Sequence, residues 1–336
     1  MPRTIISELL GTSQSGRTTL ASKLGKKGTS SDVTLYNHQK KSLTIIDPHK
    51  YPQNIIPLVQ FLEMSDVNLL LLPPNPIDKF TAELSIIGNT YTQKPVLIVQ
   101  TMKDKVTNIE LEHYWAENRK KLHSFKHLFE YPPIQVDQND GNSITILREK
   151  ILEIGSNTPL YNSDDDEDAI ILVDHAFPVK GVGTVVLGKV ISGTVRKGMN
   201  LLSLPHKTNL VIRSIQVQDV DVKEANKGTR VGLAIKGQFT NIRRGEFLIG
   251  KNIAYELTQE LEVENYKQAP FTKEINELKQ VHLVHGTNDF PAKVKSEGNK
   301  VFLKIDKPVP IIPQLPIFVL DLGGKQRFNG IIEVKD

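Results

Sequence analysis

The stretch GTSQSGRTTL, residues 11–20, holds the residues whose types and spacing most clearly suggest chemistry. Gly11, Gly16 and Thr18 have the spacing of the phosphate-binding pattern G-x-x-x-x-G-K-[ST]. In that pattern, backbone amides and the start of the following helix hold phosphates, and the threonine hydroxyl binds Mg²⁺. Arg17 stands where the pattern has lysine, and its planar guanidinium changes the geometry more than the charge. The stretch therefore predicts a nucleoside triphosphate site with one altered cation.

A second candidate metal ligand follows the apolar run LTII. Asp47 is expected at the end of a strand, where its carboxylate would bind the water shell of the metal together with Thr18. In GTPases this aspartate begins the pattern D-x-x-G, whose glycine amide contacts the terminal phosphate. Lys50 stands at that glycine position, so this contact is missing.

A candidate base-reading loop lies further along, in VLIVQTMKD. Asp104 occupies the carboxylate position of the pattern N-K-x-D and would accept two hydrogen bonds from the edge of guanine. Thr101 and Met102 stand in place of the asparagine and the lysine. The order of the three motifs along the chain favours a guanine nucleotide over a chance match.

The elements that must position these motifs alternate between strand and helix patterns. Apolar runs at 4–10, 43–46, 67–72 and 95–99 predict buried parallel strands, and residues 18–24, 109–129 and 143–154 have helical periodicity. This alternation predicts a doubly wound α/β domain with a mostly parallel sheet over residues 1–160.

After residue 160 the pattern changes. Residues 161–168 form an acidic linker that contains NSDDDED, residues 162–168, and period-two alternation with frequent turn residues follows it. We predict two all-β barrel domains, at 169–255 and 256–336.

Composition restricts the classes of function only loosely. The 42 basic and 38 acidic residues give a net charge of +4, a mild indication of an anionic partner. The sequence contains no cysteine, which excludes disulfides, thiolate metal sites and cysteine nucleophiles. No apolar run has the length of a signal peptide or membrane span, so we expect a cytoplasmic protein without a membrane partner.

These motifs resemble the translational GTPases, and most closely the SelB-like elongation factors and their archaeal relatives. GTSQSGRTTL is similar to their GHVDHGKTTL loop, and FPVKGVGTVVLGKVISGTVRKGMNLLSLP, residues 177–205, resembles their second domain. The resemblance implies a P-loop G domain, GTP or GDP with Mg²⁺ as ligand, and tRNA or the ribosome as partner. We further expect a monomer that does not bind DNA. The nucleotide-binding residues that it implies are Gly11, Ser15, Gly16, Arg17, Thr18, Thr19, Thr101 and Asp104.

The resemblance also implies a catalytic residue and an aminoacyl pocket. His49 would take the role of the water-positioning histidine only if the alignment skips residues, and the candidate for the metal-sensing threonine is Thr34. In the second domain His175 stands where SelB-like proteins have an arginine that grips the aminoacyl group, and Arg230 matches the pattern. His175 is equally explained as an ordinary partly buried barrel residue. The last base-contacting loop of the family corresponds to Asp137 and Gln138.

Two main hypotheses follow. In the first, the chain is a degenerate translational GTPase homologue that engages tRNA or the ribosome, with weak GTP binding and weak or absent hydrolysis. In the second, it is an active GTP-hydrolysing elongation factor that delivers an aminoacyl-tRNA. A third derives from relatives outside translation, such as the GTPase subunit of ATP sulfurylase. The changes at Arg17, Lys50 and Met102 favour the first.

Overall fold

The structure is a computed structural model that describes residues 3–38, 40, 42–160, 168–236 and 241–334. Its first part is a seven-stranded sheet in the order β2-β3-β4-β1-β5-β6-β7, parallel except for β2 and β3. The strands are β1 (Ile5–Leu10), β2 (Lys26–Ser30), β3 (Thr34–His38), β4 (Leu43–Asp47), β5 (Val67–Leu72), β6 (Val96–Gln100) and β7 (Ile134–Gln135). The helices are α1 (Arg17–Leu24), α2 (Ile56–Leu62), α3 (Lys79–Thr90), α4 (Asn108–Leu122) and α5 (Gly141–Asn157). The predicted doubly wound α/β architecture is confirmed.

Two local features of this part differ from the sequence prediction. The helix predicted at 109–129 ends at Leu122, and a short 3₁₀ helix, Lys126–Phe129, follows it. The chain turns there because Phe125 and Leu128 pack into the apolar core under the sheet. The antiparallel hairpin of β2 and β3 was not predicted, since its residues include no long apolar run.

The second part is a closed antiparallel barrel. Pairing runs in the order β11-β16-β8-β9-β15-β12, and β12 returns to β11. Gly188 is required on β9, because a Cβ there would lie 2.4 Å from the carbonyl oxygen of Leu172 on β8. The strands of this part are β8 (Ile170–Val179), β9 (Gly183–Ser192), β10 (Thr194–Arg196), β11 (Asn200–Leu204), β12 (Thr208–Val217), β13 (Val220–Val222), β14 (Glu224–Asn226), β15 (Arg230–Lys236) and β16 (Phe247–Ile249).

The third part is a seven-stranded antiparallel sheet in the order β17-β21-β20-β19-β22-β23-β18. Its described pairings do not return to the first strand, so it forms a half-barrel. The strands are β17 (Glu256–Glu262), β18 (Tyr266–Gln268), β19 (Gln280–His285), β20 (Asn288–Glu297), β21 (Lys300–Ile311), β22 (Ile317–Leu320) and β23 (Phe328–Ile332). Of the predicted linker, residues 161–167 lie outside the described residues.

Apolar cores continue across the boundaries between the three parts. One cluster joins residues of the first sheet and its helices to Val284, Phe318 and Phe328 of the half-barrel. Another contains Ile6 of β1, residues of the barrel, and Leu315 next to β22. These shared apolar cores favour a fixed arrangement of the three parts.

Buried ion pairs cross the same boundaries. Lys189 of β9 donates to Asp66, which precedes β5, with Nζ 2.7 Å from Oδ1. Burial tends to raise the pKa of Asp66, but the charges of Lys189 and Arg3 hold it below its usual value. Arg327, next to β23, pairs with Glu83 of α3. In the described ranges, no helix is long and apolar enough to cross a membrane.

Candidate functional site

The loop between β1 and α1 lies at the carboxyl edge of the parallel sheet. Gly16 closes the loop in the left-handed region, with φ of 73°, and α1 begins at Arg17 without a side-chain N-cap. Gln138 braces this turn, because its Nε2 donates to the Gly16 carbonyl at 3.1 Å. The positive φ favours glycine at position 16, where a Cβ would also lie 2.5 Å from that side-chain nitrogen.

Arg17 points into the protein. Its Nε donates to Oδ1 of Asp47 at 2.6 Å, and its guanidinium also donates to the Gly11 carbonyl. The residue is only 2% exposed and Asp47 only 1%. Because β4 lies next to β1, the end of β4 brings Asp47 directly beneath the loop. The guanidinium therefore ties the first residue of the loop to the end of the neighbouring strand.

Thr18 completes the contacts of the Asp47 carboxylate. Its hydroxyl donates to Oδ2 of Asp47 at 2.8 Å. Both oxygens of Asp47 thus have partners within the protein. A Mg²⁺ ion bound in the predicted way would need the Thr18 hydroxyl as a ligand and a water bonded to Asp47. The groups predicted to hold the metal bond to each other, and the Asp47 carboxylate is already balanced by a cation of the protein, Arg17.

Glu8 lies on β1 close to this network and is fully buried. Burial raises the pKa of Glu8 well above its usual value, and the Arg17 charge opposes that rise only in part. Among the described residues, neither side-chain oxygen of Glu8 has a hydrogen-bond partner. Burial therefore favours the neutral form of Glu8, and Asp47 is the carboxylate that bonds to Arg17. A glutamate inside an apolar strand was the sequence signal for this position.

The base-reading motif is divided between two places. Thr101 donates to the Ser15 carbonyl at 2.7 Å, so it supports the loop from behind. Asp104 instead accepts from Nδ2 of Asn139 at 3.1 Å and lies 3.5 Å from Nζ of Lys105. Thr19 is exposed on α1. The loop residues and Thr101 are brought together, while the Asp104 carboxylate bonds to Asn139, next to Gln138, in the loop predicted to be the last base-contacting loop.

The candidate catalytic histidine faces the hairpin. Nδ1 of His49 lies 3.2 Å from the hydroxyl of Thr34 on β3, and that hydroxyl also bonds to Ser30. Thr34 is a buried strand residue paired with Asp47 across β3 and β4, not part of a long loop. The region in which the family carries its first switch is therefore a tight hairpin.

The two aminoacyl-pocket candidates meet at one buried carboxylate. Arg230 donates to both oxygens of Asp174, at 2.9 and 3.2 Å, and Nδ1 of His175 lies 3.2 Å from Oδ1. Burial alone would raise the pKa of Asp174, but the Arg230 charge and the bond with His175 hold it below its usual value. Asp174 was not predicted, although it directly precedes His175 in the sequence.

A cavity of about 580 Å³ opens beside Arg230, between the barrel and the β3–β4 side of the sheet. Its walls combine apolar side chains of the barrel, including Val182 and Leu187, with polar ones such as Asn37 and Gln216. Phe177 lies on its wall and is 40% exposed, unusually high for a phenylalanine. The cavity therefore offers one accessible aromatic ring and Arg230, whose guanidinium already bonds to Asp174, and its walls also carry the carboxylates of Asp219 and Asp221.

Comparison with known proteins gives relatives along most of the chain. The family model "Elongation factor Tu domain 2" matches residues 183–249. An uncharacterized protein of Methanocaldococcus jannaschii is 31% identical over 315 residues, which covers 92% of this chain and 93% of that protein. The selenocysteine-specific elongation factor of the same organism is 25% identical over 297 residues. That match covers 85% of this chain but 61% of the relative, so the chain spans less than two thirds of its length.

Solved structures share the fold over nearly the whole chain. Translation elongation factor SelB from Methanococcus maripaludis, in complex with the GTP analogue GPPNHP, superimposes with a TM-score of 0.83 and 21% identity, covering 99% of this chain and 79% of that one. A bacterial selenocysteine-specific elongation factor, EF-Sec, gives a TM-score of 0.84 and 23% identity, covering 99% of this chain and 58% of that one. At these sequence identities, the likeness to the solved structures shows a shared fold and nothing beyond it.

Proposed function

Because the chain belongs to the translational GTPase superfamily, among its SelB-like members, we propose that it is a degenerate GTPase that binds tRNA or the ribosome and hydrolyses GTP weakly or not at all. The observation that carries the proposal is the closed network of Arg17, Asp47 and Thr18 under the phosphate loop.

This network weakens nucleotide binding because a ligand must break it. Separating a buried, hydrogen-bonded charge pair costs about 3–5 kcal/mol, which corresponds to a loss of roughly a hundred-fold to a few thousand-fold in affinity. A lysine at position 17 would reach outward as a compact charge, whereas the guanidinium fork bonds two groups inside the protein. The loop amides at the start of α1 remain the feature that favours an anion.

Hydrolysis would need a water held by a base beside the terminal phosphate. His49 bonds to Thr34, and Lys50 replaces the glycine whose amide would contact that phosphate. The tight β2–β3 hairpin also replaces a loop long enough to close over a nucleotide. These features support slow or absent turnover.

The cavity beside Arg230 carries groups that suit the binding of RNA. The exposed ring of Phe177 beside the Arg230 cavity can stack on a base, an interaction worth about 1–3 kcal/mol per base. The cavity is concave and combines apolar walls with the Arg230–Asp174 pair and the carboxylates of Asp219 and Asp221, so it suits the bases and hydroxyls of a single-stranded 3′ end of an RNA rather than its phosphates. We assign this cavity to the acceptor end of a tRNA.

A calorimetric titration with GTP, GDP and ATP in the presence of Mg²⁺ tests the nucleotide part of the proposal. For the unmodified protein, we expect no saturable binding below about millimolar nucleotide. Arg17→Lys should bind a guanine nucleotide more tightly than the unmodified protein, because the lysine leaves the Asp47 carboxylate accessible. Arg119→Lys, on the charged surface helix α4, is the matched control and should bind as the unmodified protein does. Micromolar, guanine-selective binding by the unmodified protein would instead support the active elongation factor.

A further inference from the structure

A basic groove lies on the first part of the protein, away from the Arg230 cavity. It has a volume of about 600 Å³ and runs between the end of α1, the β2–β3 hairpin and α5. Its cations come from four segments of the chain: Lys23, Lys26, Lys27, Lys40 and Arg148. The residues that line it include no aspartate or glutamate. We call this feature the basic groove.

Within the described part of the chain, the charges of the basic groove have no carboxylate to neutralise them. Across the described ranges, none of its five cations forms an ion pair with a carboxylate. The Arg148 guanidinium donates only to the Lys23 carbonyl, at 3.4 Å. Its buried Nε has no hydrogen-bond partner among the described residues. Several like charges in one concavity repel each other, and an anion from outside would relieve that repulsion.

The need to prevent pairing at the edge of the sheet explains only some of the cations in the basic groove. β2 is the edge strand of the sheet, and lysines such as Lys26 and Lys27 prevent edge-to-edge pairing. Lys23 and Arg148 belong to helices, yet they line the same groove. Cations from two helices thus meet those of the edge strand in one groove, which indicates a binding surface.

We propose that the basic groove binds the sugar-phosphate backbone of an RNA. Lysine and arginine side chains spaced along an open groove suit successive phosphates. His38 is the aromatic residue in the walls of the groove, so the charged side chains of the groove outnumber its surfaces for base stacking. It would hold the RNA without reading its sequence. The proposal rests on the RNA-binding function proposed above and adds a second contact on the first part of the chain.

The test uses two fluorescently labelled RNA hairpins, one with a single-stranded CCA end and one blunt-ended, in anisotropy titrations of the full chain. We expect Lys26→Glu/Lys27→Glu to weaken binding of both hairpins at least about ten-fold at ~100 mM KCl, since two phosphate contacts become repulsive. The slope of log affinity against log salt should fall in magnitude by about two.

Two further variants separate this proposal from the cavity assignment. Lys120→Glu/Lys121→Glu on α4 makes the same charge change at another exposed lysine pair and should bind as the unmodified protein does. Phe177→Ala should weaken only the hairpin with the CCA end, and Phe271→Ala, an 85% exposed phenylalanine outside the cavity, is its control. Circular dichroism of each variant establishes that it is folded.

The outcomes are distinct. Equal affinities for the groove variant and the α4 control would overturn the basic groove as an RNA site, while a selective loss in Phe177→Ala would leave the cavity assignment standing. A groove-dependent loss with no effect of Phe177→Ala would support the groove and contradict the cavity assignment. If poly-glutamate displaced the RNA as effectively as unlabelled RNA does, the groove would bind acidic peptides and the proposal would be wrong.

Discussion

Replacing Arg17 with alanine is expected to lower the free energy of unfolding by about 3–5 kcal/mol, because the variant leaves the buried Asp47 carboxylate without its cation. Glu8, the other buried acid near Arg17, carries no positive charge and therefore cannot balance Asp47 in the variant. The Gly11 carbonyl loses its donor in the same change. Urea denaturation of the variant and the unmodified protein measures the effect.

The matched control is Arg196→Ala. Arg196 also pairs with a carboxylate, Glu224, at 3.4 Å, but both side chains are about half exposed. Exposed pairs contribute about 0–1 kcal/mol, so this variant should remain close to the unmodified protein. If Arg17→Ala were as stable as Arg196→Ala, the Arg17–Asp47 pair would not close the loop, and the main argument against a metal-bound nucleotide would fail.

Replacing Asp66 with alanine is the second change with a large expected effect. Asp66 accepts hydrogen bonds from Lys189, Arg3 and the backbone N–H of Ile6, and it is completely buried. The variant leaves Lys189 without its carboxylate partner. Burial already lowers the pKa of Lys189 to about 8. We expect a loss of about 3–5 kcal/mol, because the Lys189 amine stays buried between the first part and the barrel with the Met64 carbonyl but without its carboxylate.

This variant should also uncouple the barrel from the first part. The single tryptophan, Trp115, lies on α4 and packs against the core of the first part, so its fluorescence reports unfolding of that part. Far-ultraviolet circular dichroism also reports the β-rich parts. In the unmodified protein the two signals should change together, and in Asp66→Ala they should separate. Asp306→Ala, on the exposed part of β21, is the control. Coincident transitions in Asp66→Ala would contradict the role of this ion pair at the boundary.

The parts of the fold that were predicted correctly have strong local signals. The apolar runs that became β1, β4, β5 and β6 are long enough to be read as buried strands. Turn residues between short alternating segments identified the barrel. The β2–β3 hairpin was missed because KKGTS and TLYNH mix polar and small residues without an apolar run. Its pairing is set by β4, against which β3 lies, and therefore by tertiary structure.

The candidate site was predictable in position but not in its contacts. The spacing of Gly11, Gly16 and Thr18 located the loop, and the run before Asp47 placed that carboxylate at a strand end. The direction of the Arg17 side chain depends on Asp47, thirty positions away, and no local pattern encodes it. Lys189 and Asp66 are further apart still, at 123 positions, and each alone reads as an ordinary surface charge. Such contacts become visible only when the chain is folded.

The most direct test of the central claim is the affinity of the unmodified protein for the CCA-ended hairpin, measured with no nucleotide and again with saturating GTP and Mg²⁺. A loop closed by Arg17 and domains joined by continuous cores leave no element for a nucleotide to rearrange. The account therefore predicts the same dissociation constant in both conditions. Tight binding that requires GTP, with a change of about ten-fold or more, would show a working nucleotide switch and contradict the account.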